Sequence, residues 1–196
     1  VRGTQADIQV YEDTSGVTVG DQVEFTDQLL SVSLGPGLLT QVFDGLQNPL
    51  PRIAEEAGFF LQRGMYFDPL QREAEWDWTP KLETGAQVQA GDAVGSVPEH
   101  IFDHQIMVPF DWHGTWELTW VAEAGKMPLT EMVAKASNGM EEREIYMTQD
   151  WPVRKPINAY REKLLPTEPL VTQQRIVDTF FPVAKGGTFC SPGPFG

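Results

Sequence analysis

The chain has 196 residues, with 14 Lys+Arg against 28 Asp+Glu, and a formal net charge of −14. That length admits one domain or two. The acidity argues against a non-specific binder of nucleic acid or of an anionic membrane. The single cysteine, Cys190, excludes an internal disulfide framework and suits a reducing cytoplasm. No apolar run approaches the length that spans a bilayer, and no basic-then-apolar leader opens the chain, so any link to a membrane is expected to run through partners.

The 15 Pro and 18 Gly predict many turns and a mainly β protein. Ala6–Tyr11 places Ile8 and Val10 on one side of a predicted strand. Glu12–Gly16 reads as a turn, Val17–Phe25 as a returning strand, and Leu30–Leu34 as another, together the tail of a small antiparallel barrel over residues 1–34. Gly35-Pro36-Gly37 breaks that pattern. Leu38, Leu39, Val42, Phe43 and Leu46 fall near helical spacing, which predicts one short helix ended by Asn48-Pro49-Leu50-Pro51. Ile53–Gln62 reads as a second short helix or an extended linker, so residues 35–66 form a connector.

Residues 67–150 read as an insertion of short strands. Trp76–Pro80 alternates, as does Trp116–Val121, and Asn138-Gly139 between Thr130–Ala136 and Glu144–Met147 is a hairpin signal. The run Gly85–Glu99 has glycines before, between and inside its strands, with Gly91-Asp92 suited to a tight turn. This spacing resembles biotinyl and lipoyl carrier domains and implies a barrel-like sandwich. The carrier chemistry does not follow, because the hairpin region Pro98–Gln105 contains no Lys to hold biotin or lipoate.

Few side chains there suggest chemistry. His100 and His104 with Asp103 could bind zinc on a helix, but Pro98, Pro109 and the strand pattern make satisfied or surface histidines the default, and no metal site is expected. Trp76, Trp78, Trp112, Trp116 and Trp120 are expected mostly in the core, with one or two on a partner surface. Glu141-Glu142-Arg143-Glu144 reads as a solvated face. No carboxylate pair has a spacing that singles it out for acid–base work.

Charge divides the chain at Trp151. Residues 1–150 hold 8 Lys+Arg and 25 Asp+Glu, a net −17, whereas residues 151–196 hold 6 and 3, a net +3. After Trp151 the prolines 152, 156, 166 and 169 predict an extended approach, followed by a short helix around Arg175–Thr179. Cys190 has no activating base and reads as a small filler. The last residues, Gly193, Pro194, Phe195 and Gly196, fit the opening half of a phosphate-binding loop, G-x-x-x-x-G-K-[ST], whose backbone N–H groups and following helix cradle phosphates. The second Gly, the Lys and the Ser/Thr are not among these residues.

The run Pro169–Gly187 followed by Pro192–Gly196 resembles the lead-in to the nucleotide site of the catalytic A subunit of V-type and A-type rotary ATPases. Trp151-Pro152-Val153-Arg154 resembles that family's entry to the same domain. Ile8–Val17, Leu34–Leu39, Phe43–Leu50 and His104–Pro109 match in family order. The chain departs from the family at Gln173, where Gly is usual, and at Phe189-Cys190-Ser191, where small apolar residues are usual. The resemblance implies residues 1–34 as part of the N-terminal β-barrel, 35–66 as a connector, 67–150 as the bulge unique to the catalytic subunit, and 151–196 as the start of an α/β nucleotide domain that ends inside the loop.

The same resemblance implies a subunit that couples ATP hydrolysis or synthesis to H⁺ or Na⁺ transport, with ATP or ADP and Mg²⁺ as ligands of the larger protein. It implies B subunits in an alternating A/B hexamer, and central-stalk and peripheral-stalk subunits, as partners. It also implies a cytoplasmic site at the membrane periphery, without direct membrane insertion or nucleic acid. No catalytic side chain falls within these residues, so the chain alone is expected to be inactive. The competing reading is a non-enzymatic module that docks the peripheral stalk or a regulator.

Overall fold

A computed structural model describes residues 3, 5, 8–11, 13–25, 28–58, 64–160, 162–190 and 192–193. The chain divides into two compact units between Ala159 and Tyr160. In the first lie β1 (Ser31–Leu34), α1 (Leu50–Ala57), β2 (Glu75–Pro80), β3 (Gln87–Val88), β4 (Ala93–Glu99), β5 (Phe102–Met107), β6 (Trp116–Val121), β7 (Gly125–Pro128), β8 (Met132–Ser137), β9 (Glu142–Tyr146) and β10 (Gln149–Pro152). The second holds β11 (Pro169–Leu170), α2 (Arg175–Phe180) and β12 (Val183–Ala184).

The centre of the first unit is a pair of four-stranded antiparallel sheets, ordered β5-β4-β2-β7 and β3-β6-β8-β9. Their strands follow the polar–apolar alternation of the sequence. On β6, Trp116 and Leu118 are buried while Glu117 and Thr119 are exposed, as a sheet with one covered face requires. On β4, Val94, Gly95, Ser96 and Val97 are all buried, because this strand lies between β5 and β2. Trp78, Val88, Val97, Ile106, Trp116, Leu118, Val133 and Ile145 belong to one core. Trp78 contributes most of a large aromatic surface to it, and its Nε1–H donates to the Ala122 carbonyl at 3.2 Å, so its one polar atom is satisfied. Trp112 and Trp116 pack with ring centroids 4.4 Å apart, and the Arg143 guanidinium lies over both rings.

Two glycines are required by close packing. A Cβ at Gly95 would fall 2.1 Å from the Trp78 ring. At Gly91 the backbone takes φ +82°, and a Cβ would fall 2.7 Å from the Ala159 carbonyl oxygen. The Gly91-Asp92 turn therefore also receives the strand-free stretch that leaves the unit. Asp92 does what its residue type predicts, with Oδ2 accepting the Gln89 N–H at 2.9 Å. The Asn138-Gly139 hairpin joins β8 and β9 through a loop in which Asn138 Oδ1 accepts the Met140 and Glu141 N–H groups.

β1 and β10 pair outside the two sheets, Ser31 opposite Pro152 and Leu34 opposite Gln149. Trp151 of β10 is buried, and Phe110 meets it edge-on at 5.5 Å. Strand β10 thus carries the chain across the change of charge at Trp151.

The connector differs from its predicted form. Leu38–Leu46 is not a helix. It runs through turns, with Thr40 at φ +64° and Leu39 and Val42 exposed. The helix begins at Leu50, with Pro49 as its cap residue and Pro51 in its first turn. Those prolines open the helix rather than end one, since a first-turn proline has its φ preset and gives up an N–H that no helical acceptor would meet. Asp44 organises the preceding turn. Its Oδ1 accepts the Leu46 and Asn48 N–H groups and its Oδ2 the Asn48 Nδ2–H. Partial burial pulls the Asp44 carboxyl up, but these donors outweigh it and the net direction is down.

The strands predicted over 6–11 and 17–25 do not form among the described residues, and residues 6 and 7 lie outside them. Ile8, Val10, Val17, Val19, Val23 and Phe25 are exposed there. Isolated strand sequences have no ladder to satisfy their backbone. Local turns are made there, with Asp13 serving Ser15 and Asp21 serving Thr18.

Candidate functional site

Three of the residues predicted to cradle phosphate, Pro194, Phe195 and Gly196, lie outside the described residues. Gly193 is exposed, and a Cβ built on it would meet nothing within 4 Å. The described structure therefore shows the residues that lead up to Gly193, and no cradle is formed among the described residues.

That approach is built from short elements. β11 and β12 pair antiparallel, Pro169 opposite Ala184 and Leu170 opposite Val183. Between them, α2 is held by one carboxylate. Asp178 Oδ1 accepts from Thr172 N–H at 2.9 Å and Thr172 Oγ1–H at 2.6 Å, and Oδ2 accepts from Gln173 N–H at 3.0 Å. The Thr172 hydroxyl and these amide donors hold the Asp178 carboxyl below its ordinary range. Gln173 stands at φ +66°, a left-handed backbone that glycine adopts without a Cβ clash. That gives a physical reason for the glycine usual at this place in the resembled family. Lys185 continues β12 by donating its N–H to the Glu168 carbonyl, and its ammonium pairs with the Glu168 carboxylate at 2.7 Å. Leu164, Leu165, Pro166, Lys185, Gly186 and Gly187 line a shallow hollow of about 410 Å³. Cys190, read from the sequence as a small filler, is exposed.

In the first unit the sequence's carrier-like hairpin region falls on the hairpin β4–β5, which carries no lysine. Its turn, His100-Ile101, exposes Ile101 at 89 %, and the adjoining Phe102 is 54 % exposed. His100 and His104 do not converge on a metal. His104 Nδ1 faces Glu99, His100 Nε2 faces Thr40, and no group of His, Cys, Asp or Glu that could hold a metal ion occurs among the described residues. Asp103 points the other way and pairs with Lys81 at 2.8 Å, whose ammonium holds the carboxyl down at about 2.

Beside this hairpin a cleft of about 570 Å³ is lined by Pro36, Leu39, Phe43, Arg52, Trp76 and His100. Trp76 Nε1 is buried there without a hydrogen-bond partner among the described residues. Trp120 is the tryptophan left 42 % exposed, on the outer face of the second sheet. Sequence reasoning placed most tryptophans correctly but missed Glu99, whose burial and partners depend on residues some sixty positions away.

Comparison with known proteins joins these parts. Residues 67–154 match the family described as ATPsynthase alpha/beta subunit barrel-sandwich domain, and residues 1–27 match the ATP synthase alpha/beta family beta-barrel domain. The whole chain is 52 % identical over 197 residues to V-type ATP synthase alpha chain 1 of Treponema pallidum (strain Nichols), covering 33 % of that protein. It is 52 % identical over 198 residues to the V-type ATP synthase alpha chain of Borrelia garinii subsp. bavariensis, covering 34 % of it, and 50 % identical over 200 residues to that of Treponema denticola, covering 33 %. The chain thus spans about a third of the length of the curated relatives it matches. With two sheets closing over one core in the region of the barrel-sandwich match, and similarity that runs the full length of the chain, this protein belongs to the ATP synthase alpha/beta family and is similar throughout to V-type ATP synthase alpha chains.

Proposed function

We propose that this chain is part of the catalytic subunit of a V/A-type ATPase, which couples ATP hydrolysis or synthesis to movement of H⁺ or Na⁺ across a membrane. The observation that carries this reading is identity of about half to V-type ATP synthase alpha chains in alignments that cover the whole chain. In this reading the subunit alternates with B subunits in a hexamer, contacts the central and peripheral stalks, and lies peripheral to the membrane. No helix among the described residues is long and apolar enough to cross a bilayer.

Nucleotide with Mg²⁺ would be bound by the larger protein. The described residues do not fit that group by themselves. Gly193 stands in open space, and the Lys and Ser/Thr of the loop are not in this sequence. No phosphoryl-transfer step is assigned to this chain, because that chemistry depends on a lysine, a metal and a positioned water. What the chain supplies is scaffold: the barrel-sandwich, its tie to the connector, and the β11–α2–β12 approach to the loop. Exposed Ile176, Phe180 and Phe181 on and after α2 fit a face covered by further protein.

The test is to read the source gene past the codon for Gly196, and to assay the pure chain for ATP turnover. Continuation as x-Gly-Lys-Ser/Thr into an apolar helix, with no turnover by the chain alone, is expected. A continuation without that Lys removes the catalytic reading. The second reading, a docking module for the peripheral stalk or a regulator, is favoured by the exposed Ile101, Phe102 and Trp120. Capture of a purified stalk subunit by the chain, lost on Trp120→Ala or Ile101→Asp, would support it.

A further inference from the structure

Glu99 is the one ionisable residue that is fully buried among the described residues, at 2 % exposure. A carboxylate out of water is costly unless donors surround it. Here Oε1 accepts from Gly37 N–H at 2.8 Å and Leu39 N–H at 3.1 Å, while Oε2 accepts from His104 Nδ1 at 2.5 Å. Two of these three donors belong to the connector loop, not to the sheet. One residue on, His100 Nε2 meets Thr40 Oγ1 of the same loop at 3.0 Å.

The backbone on both sides of this contact is left-handed. Gly37 stands at φ +103°, Thr40 at φ +64° and His100 at φ +55°. Non-glycine residues hold such conformations only where their surroundings over-determine them. The β4–β5 ladder does not need the contact, since Val97 pairs with His104, Pro98 with Asp103 and Glu99 with Phe102 through the strands themselves. The carboxylate is therefore spent on the loop.

We propose that Glu99 is a conformational latch: it holds the loop Pro36–Thr40 in a strained form against the β4–β5 hairpin, and loss of its carboxylate releases that loop and opens the cleft lined by Pro36, Leu39, Trp76 and His100. The exposed turn residue Ile101 is two positions from the latch. A partner seated on the hairpin tip therefore acts next to the bond that fixes the connector. His104 supports the latch in either charge state, because the imidazolium and the neutral tautomer protonated at Nδ1 both donate to Glu99.

Amide hydrogen exchange on the 196-residue chain tests this. In Glu99→Ala the Gly37 and Leu39 amides are expected to exchange at least about tenfold faster, with the Val97 and Ile106 amides of the hairpin unchanged. In Glu99→Gln, which keeps the shape and one acceptor oxygen but not the charge, the same two amides are expected to exchange roughly threefold faster. Unchanged exchange at Gly37 and Leu39 in Glu99→Gln overturns the latch, whether or not Glu99→Ala folds. Equal acceleration along all of β4 in either variant also overturns it, by making Glu99 an ordinary part of the sheet's stability.

Discussion

In the barrel-sandwich, Trp78, Trp116 and Leu118 are covered from both sheets, whereas from Tyr160 onward no described residue is buried and Ile176, Phe180 and Phe181 face solvent. The first region is ordered by packing of apolar surface, which is indifferent to pH and intolerant of changed volume. The second is ordered by hydrogen bonds that converge on Asp178, which depend on its charge and tolerate changes in side-chain size nearby. The difference separates regions that carry their own core from regions that present a surface.

Four experiments press on that difference. The largest effect is expected from Trp78→Ala, which removes the central ring of the core and should lower stability by about 3–5 kcal/mol in urea unfolding followed by the remaining tryptophans. A loss below ~1 kcal/mol would mean that the two sheets do not depend on their shared core. Gly95→Ala comes next. A methyl group driven into the Trp78 ring should cost about 1–3 kcal/mol, with the tryptophan signal perturbed even where the fold survives.

Acidification should act on the other region. The Asp178 carboxyl is more acidic when folded than the ordinary unfolded value of about 3.9. Its contribution is therefore complete above that value and disappears as pH falls through the lower folded one. Amide exchange at Thr172 and Gln173 should rise over that acid range, and Asp178→Asn should remove the pH dependence. In the barrel-sandwich, the Asp103–Lys81 pair should persist on acidification down to about pH 2, read from the Asp103 carboxyl carbon shift. Exchange at Thr172 and Gln173 that stays flat over the acid range would erase the contrast. The smallest effect is expected from Gln173→Gly. Relief of the left-handed backbone, less the added entropy of glycine, should stabilise the second unit by about 0.5–1 kcal/mol in thermal unfolding.

The same contrast explains what could be read from the sequence. Trp116–Val121 and the Asn138-Gly139 hairpin were legible because alternation and turn chemistry are local. The helix expected at Leu38–Leu46 failed, although its apolar residues are well spaced, because the segment is held by long-range ties. Gln47 illustrates this: its Oε1 accepts the Ser33 N–H at 2.8 Å and its Nε2 donates to the Ser33 carbonyl at 2.7 Å, so that one side chain replaces a strand partner along β1. Glu99 was illegible for the same reason. The phosphate-loop reading of Gly193–Gly196 came from motif order alone, and only Gly193 lies within the described residues.

The pairing of β1 with β10 has a consequence for exchange of parts. Leu34 and Gln149 sit directly opposite one another, so everything between them, connector and barrel-sandwich together, enters and leaves through two neighbouring points. A stretch held that way is a cassette. Replacing it by a tight turn would keep the chain path short, at the loss of the Gln47 bonds to Ser33 and of the Phe110 ring against Trp151.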